Sequence, residues 1–170
     1  MAPTVLLAEP LAQIDGAIDR LGREDLQQVP CSCLGDDLRA IRRAIDRLEA
    51  EFSRRLGRFD IDQGWVPDGN ASTAGWLSVQ CRIMRNTAWE RVRQARRLTE
   101  LPSTTEAFAA GEISQAHVGV LTGAAEQVGT EALRDAEPIL LEAGRRLDAR
   151  RLRYVNGQLR HCLDPDGSNS

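Results

Sequence analysis

Among its 22 basic residues the chain has no lysine; every positive side chain is an arginine. Arg and Ala codons are GC-rich and Lys codons are not, so nucleotide composition accounts for this. The alternative is selection for bidentate phosphate and carboxylate contacts, which a guanidinium makes and an ammonium does not. Aromatic residues are also scarce, with three Trp, three Phe and one Tyr in 170 residues. A stacking platform for single-stranded nucleic acid would show more of them among the basic residues. Only two histidines, His117 and His161, are present, which leaves the chain poor in general acids and bases. No apolar run approaches the roughly 20 residues that a membrane-spanning helix needs. No positive segment precedes Val5-Leu6-Leu7, so a secretory signal is not expected. These absences predict a chain without membrane contact, placed in the cytoplasm.

Other absences narrow the chemistry. Four cysteines, Cys31, Cys33, Cys81 and Cys162, stand where a cytosolic chain would keep them reduced. Cys31-Ser32-Cys33 lacks the paired knuckle or His pair of a zinc site, so free thiols are expected. Asp60 and Asp62 form a loop D-x-D, a weak signal for a cation. Gly119, Gly123 and Gly129 follow no strand, which argues against a phosphate-cradling loop. No catalytic residue, cofactor or metal ligand is therefore assigned. The net charge of −3 argues against indiscriminate coating of DNA.

What is present is helical patterning, with 42% apolar residues, enough for one domain's core. Leu7, Leu11, Ile14, Ile18 and Leu21 make one stripe, with Pro10 expected in its first turn. Gly22 and the stretch 27–35, with Pro30, break it. Asp36 is expected to cap a second helix carrying Leu38, Ile41, Ile45, Leu48, Phe52, Leu56 and Phe59 at steps of three or four. The two stripes fit an antiparallel hairpin, or a seam for another copy of the chain.

After a loop over 59–70, Ser72 caps a third helix reaching about Arg82, with Trp76 in the core. Asn86 or Thr87 caps a fourth, Thr87 forming a capping box with Glu90, and it stops at Pro102. Ser103 and Glu106 form a further capping box for a short helix that Gly111 ends. Ser114 opens the next, with Ile113 and Val118 as a hydrophobic staple and His117 as a structural residue. Thr130 caps a helix that Pro138 should kink or split. Asp148 caps the last, with Leu147 and Leu152 as its staple; Leu152, Val155 and Leu159 form its stripe, and Asp164-Pro165-Asp166-Gly167 is its stop. No segment alternates with period two. The fold class expected is all-α, a multi-helical bundle of about seven or eight short helices with an N-terminal helical hairpin. The organisation expected is an N-terminal helix and linker over 1–35, a helical domain over 36–163, and a disordered tail over 164–170.

From Cys81 to Glu100 there are six Arg and two acidic residues. Arg93 and Arg97 share the face opposite Ala88, Val92 and Ala95, and Trp89 lies beside Arg96. With Arg82 and Arg85 they make a candidate phosphate-binding patch. Against this, Glu90 with Arg93 and Glu100 with Arg96 or Arg97 have the spacing of surface ion pairs, worth only about 0.2–0.5 kcal/mol each. The second helix is laced likewise, through Arg42 with Asp46, Arg47 with Glu51 and Glu51 with Arg55. A solvated face is the plainer reading of these charges.

Several pieces recur in a known order: Ser72-x₃-Trp76-Leu77, then Ala88, Val92 and Ala95-x₂-Leu98-x₂-Leu101-Pro102, then Ala107-x₃-Gly111-x-Ile113-Ser114-x₂-His117, and a helix leading into Asp164-Pro165-Asp166-Gly167. From Gly64 to Gly167 the chain resembles the actinobacterial domain of unknown function 222, found in the mycobacterial 13E12 repeat proteins. The all-arginine composition agrees with a GC-rich source. The resemblance implies a helical domain that typically precedes an HNH nuclease module, in a DNA-linked setting and often in mobile elements. An HNH site needs a general-base His, a metal-binding His and an Asn on a ββα unit. Only nine residues follow His161, so the catalytic part is not expected in this chain. A truncated copy, a separately encoded subunit and a decayed remnant all fit that expectation.

The function expected is a non-catalytic helical accessory domain of an HNH-nuclease-like protein, in DNA targeting or assembly. Its partners would be DNA, through Arg82, Arg85, Arg93 and Arg97, or a separately encoded HNH domain. The alternatives are a protein-interaction module that forms a homo-oligomer through Leu7–Leu21 and Leu38–Phe59 without binding DNA, or a mobile-element remnant. A self-contained metal-dependent hydrolase is the least supported reading.

Overall fold

The computed structural model describes residues 5–163, and side chains over 9–127, 129, 131 and 133–158. Asp164-Pro165-Asp166-Gly167 and the side chains of Leu7, Leu159, His161 and Cys162 lie outside the described residues. Eight α-helices and no strand occur among the described residues, so the protein is all-α. In chain order they are α1 (Val5–Leu21), α2 (Cys31–Ile61), α3 (Thr73–Gln80), α4 (Arg85–Leu98), α5 (Pro102–Ala109), α6 (Gln115–Val128), α7 (Thr130–Arg146) and α8 (Ala149–Leu163). The chain divides into two compact units, Met1–Ala40 and Ile41–Ser170.

The first unit holds α1, a short 3₁₀ turn (Leu26–Gln28) and the start of α2. Pro10 sits inside α1, not in its first turn. With Val5 as first helical residue, the proline ring removes the bond to the carbonyl of Leu6, a single loss close to the helix end. Asp25 caps the 3₁₀ turn by accepting from the Gln27 amide at 3.1 Å. α2 starts at Cys31, five residues before the expected cap. The carbonyl of Pro30 accepts from the Cys33 and Leu34 amides; Pro30 thus opens the helix where a break was expected. Asp36 lies inside and pairs with Arg39 at 2.5 Å. Leu11, Ile18, Leu21 and Leu38 are exposed, and Ile14 and Leu34 are half-buried.

The second unit has two cores. In the smaller, Leu56 of α2 packs with Ala74 and Leu77 of α3 and Ala88, Val92 and Ala95 of α4, with Trp76 and Phe59 at its edge. Ser72 caps α3 as expected, its Oγ accepting from the Gly75 amide at 3.1 Å. α4 begins at Arg85 with Met84 at the cap position, and no side chain caps it. Asn86 and Thr87 lie within its first turn. Arg82, in the left-handed region with φ 54°, turns the chain so that Ile83 packs on the smaller core and the helix starts early.

The larger core joins α4 to α8, with Leu101, Phe108, Ile113, Val118, Leu121 and Leu152 fully buried. Ile113 and Val118 both enter it, so the staple at the start of α6 is in place. Asp148 caps α8 through the Arg151 amide at 2.8 Å. Two expected caps are replaced. Pro102 takes the first position of α5, which shifts Ser103 inside. Gly129, at φ 87°, both closes α6 and precedes α7, the role expected of Thr130. Pro138 leaves α7 unbroken, because it lies on the exposed side where water can reach the freed carbonyl of Arg134.

Gly111 ends α5 as expected, at φ 70°. Its amide bonds to the Phe108 carbonyl and the Glu112 amide to the Ala107 carbonyl, both at 2.9 Å. That double return is the Schellman closure, which a glycine serves best.

Candidate functional site

The arginine patch does not gather as four free cations. Arg97 donates to Glu100 at 3.0 Å, as its spacing predicts. Arg93 reaches across to Glu126 of α6 at 3.3 Å instead of turning back to Glu90. Arg96 forms a bidentate pair with Asp60 of α2, at 2.7 and 3.0 Å. Arg91, not singled out by the sequence, is bidentate to Glu49 at 2.6 and 3.0 Å, and both are mostly buried. Arg82 and Arg85 are exposed and form no ion pair among the described residues.

The D-x-D aspartates are likewise occupied, and Asp60 lies in the last turn of α2, not in the expected loop. Asp60 accepts from Arg96 and from Thr73 Oγ1 at 2.6 Å, and Asp62 from Arg58 at 2.7 Å. The Arg96 guanidinium holds the Asp60 carboxyl below its usual range; burial opposes this, and the Thr73 hydroxyl adds to it. On α2, Arg42 pairs with Asp46 as expected, while Glu51 takes Arg54 as well as Arg55 instead of Arg47. The Arg54 bond leads in pulling the Glu51 carboxyl down to about 2, despite partial desolvation, with Arg55 adding to it. Among the described residues no cluster of three His, Cys, Asp or Glu side chains could hold a metal ion.

His117 is a cap. Its Nδ1 accepts from the Ser114 amide at 3.2 Å and lies 2.7 Å from Ser114 Oγ. Because Nδ1 accepts, the ring proton sits on Nε2, which donates to the Leu147 carbonyl at 2.8 Å. The ring thus ties the start of α6 to the α7–α8 junction. Cys31, Cys33 and Cys81 are exposed free thiols.

Two features escape local spacing. Glu137 of α7 is buried, and its Oε1 accepts from both the Thr104 amide at 2.7 Å and Thr104 Oγ1 at 2.6 Å. A carboxylate from another helix therefore caps α5, whose cap position is Leu101. The second feature lies along α2, where Ile41, Ile45 and Leu48 are each a little over 40% exposed. Leu38, one step earlier on the same stripe, is 68% exposed. Ile45, Leu48 and Phe52 continue into a groove of ≈ 320 Å³ completed by Ile83, Glu49 and Arg91. The stripe was legible from its spacing; its exposure was not.

No described helix is long and apolar enough to cross a membrane. No curated protein matches the sequence, and no solved structure does. A family model described as domain of unknown function (DUF222) matches residues 34–170, most of the chain and all of α3 to α8, and the protein belongs to that family.

Proposed function

We propose that the chain is a non-catalytic assembly module whose working surface is the apolar face of α2. The observation that carries this is the exposure of Leu38, Ile41, Ile45 and Leu48 on one stripe of a 31-residue helix. Fully burying one Leu or Ile is worth about 1.5–3 kcal/mol. Exposed ion pairs such as those lacing the arginines contribute roughly 0–1 kcal/mol each. The apolar stripe therefore offers the stronger drive to association. The DNA-linked setting that the family resemblance implies is compatible with an accessory part that assembles a larger machine.

The test is multi-angle light scattering of the full chain against an Ile41→Glu, Leu48→Glu double variant. Both side chains are substantially exposed, so circular dichroism should report an unchanged helix content. The unaltered chain is expected to associate and the double variant to lose at least tenfold in association affinity, about 1.4 kcal/mol. Equal association by the two proteins would remove α2 as the surface.

A DNA-contact reading keeps one specific support, the exposed Arg82 and Arg85 with Trp89 on the following turn. It predicts that an Arg82→Ala, Arg85→Ala variant weakens duplex binding and lowers its salt slope by about two. Arg93→Ala with Arg97→Ala should do less, because those guanidiniums already have carboxylate partners. Fluorescence anisotropy across a salt series measures both. Absence of binding at low salt would end this reading.

A further inference from the structure

The exposed stripe of α2 has a strict repeat. Cys31, Leu34, Leu38, Ile41, Ile45, Leu48 and Phe52 follow at steps of three and four without a slip, all within the single helix Cys31–Ile61. In heptad terms Cys31, Leu38, Ile45 and Phe52 are a positions, and Leu34, Ile41 and Leu48 are d positions. On a straight helix such a stripe drifts by about 20° per heptad, and a second helix that supercoils around the first keeps the whole stripe in contact. Its seam positions from Cys31 to Leu48 stay exposed apart from a half-buried Leu34, and Phe52, half-buried, packs against the smaller core.

The flanking residues indicate which helix that is. With this register Asp37 is a g position and Arg42 the following e position. Two copies aligned parallel and in register set Asp37 of each chain against Arg42 of the partner subunit, twice by symmetry. The remaining g and e positions, Ala44 with Glu49 and Glu51 with Leu56, bring no like charges together. An antiparallel pair overlapping the same apolar residues would instead set Asp37 against Ala44 and Arg42 against Gly35, with no charge gained. Arg42 is more than half exposed although Asp46 of its own helix holds it, and Asp37 is exposed.

We infer that a second copy of this chain covers the stripe as a parallel, in-register two-stranded coiled coil, with Cys31 facing the partner's Cys31. This rests on the assembly reading and specifies its partner and geometry. Cys33, two residues on, falls at a c position and points away from the seam, so the C-x-C pair is a built-in gauge of register.

The experiment uses the full chain carrying a single cysteine, either Cys31 alone or Cys33 alone, with Ser at the other cysteine positions. Each protein is treated at micromolar concentration with a diazene oxidant. The oxidant takes two protons and two electrons from each thiol pair as the disulfide forms, and is reduced to the hydrazine. Non-reducing gels follow covalent dimer with time, and light scattering under reducing conditions gives the mass of each protein. The inference predicts a dimer for both, with the Cys31-only chain cross-linking about tenfold or more faster, because pairing raises the effective thiol concentration only at the seam. A dimer in which Cys33 cross-links as fast as Cys31, or Cys31 does not cross-link, overturns the register and leaves the assembly reading standing. A monomer under reducing conditions overturns both.

Discussion

At the scale of single residues, the polar contacts that matter most join side chains far apart in sequence. Glu137 and Thr104 are 33 residues apart and buried together. Thr104→Val keeps the shape and the backbone amide bond but removes one hydrogen bond to a charged acceptor. A loss of about 2 kcal/mol in unfolding free energy is expected, read as a lower midpoint in urea at unchanged slope. A change below 0.5 kcal/mol would mean that the carboxylate is satisfied without the hydroxyl. Asp60 supplies a pH test. Its carboxyl titrates lower in the folded protein, chiefly through Arg96. Its stabilising contribution is complete above the unfolded value, near pH 4, and is lost as pH falls through the lower folded value. The stability gap between the native chain and Asp60→Asn should therefore hold from pH 7 to about 5 and narrow below pH 4. A gap unchanged at pH 3 would contradict the assignment.

Helix boundaries show how much was legible at the scale of elements. Ser72, Ser114 with its staple, Gly111 and Asp148 all stand where local chemistry placed them, because a cap acts within three residues and its signal is contiguous. The start of α2 was misplaced because Pro30 reads both as a breaker and as the residue preceding a helix. α5 hid its cap because the acceptor comes from α7. Pro138 does not split α7, because a proline's damage depends on which side of the helix meets water. Local spacing gave Arg97–Glu100 and Arg42–Asp46 correctly, but Arg91–Glu49, Arg93–Glu126 and Arg96–Asp60 depend on helix packing. Gly111→Ala tests one element boundary. Its φ of 70° strains any side chain, and a Cβ would stand 2.8 Å from Arg43 Cγ and 3.1 Å from the Arg43 carbonyl. A loss of more than about 1 kcal/mol is expected by chemical denaturation. A neutral result would show that α5 and α2 can part there without cost.

At the scale of the whole molecule, the two cores of the second unit hold the buried apolar side chains of the described residues, and the stretch of the α2 stripe from Leu38 to Leu48 stays outside them. The sequence could show that α2 has an apolar face, because that is a matter of spacing. It could not show that the face lacks cover, because cover depends on where every other helix packs. A second copy of the chain provides that cover. The most direct test is light scattering of the unmodified protein under reducing conditions, over a dilution series through the micromolar range. The mass is expected to move from twice the 18.8 kDa of one chain toward 18.8 kDa as the protein is diluted. A mass of 18.8 kDa at every concentration would contradict it.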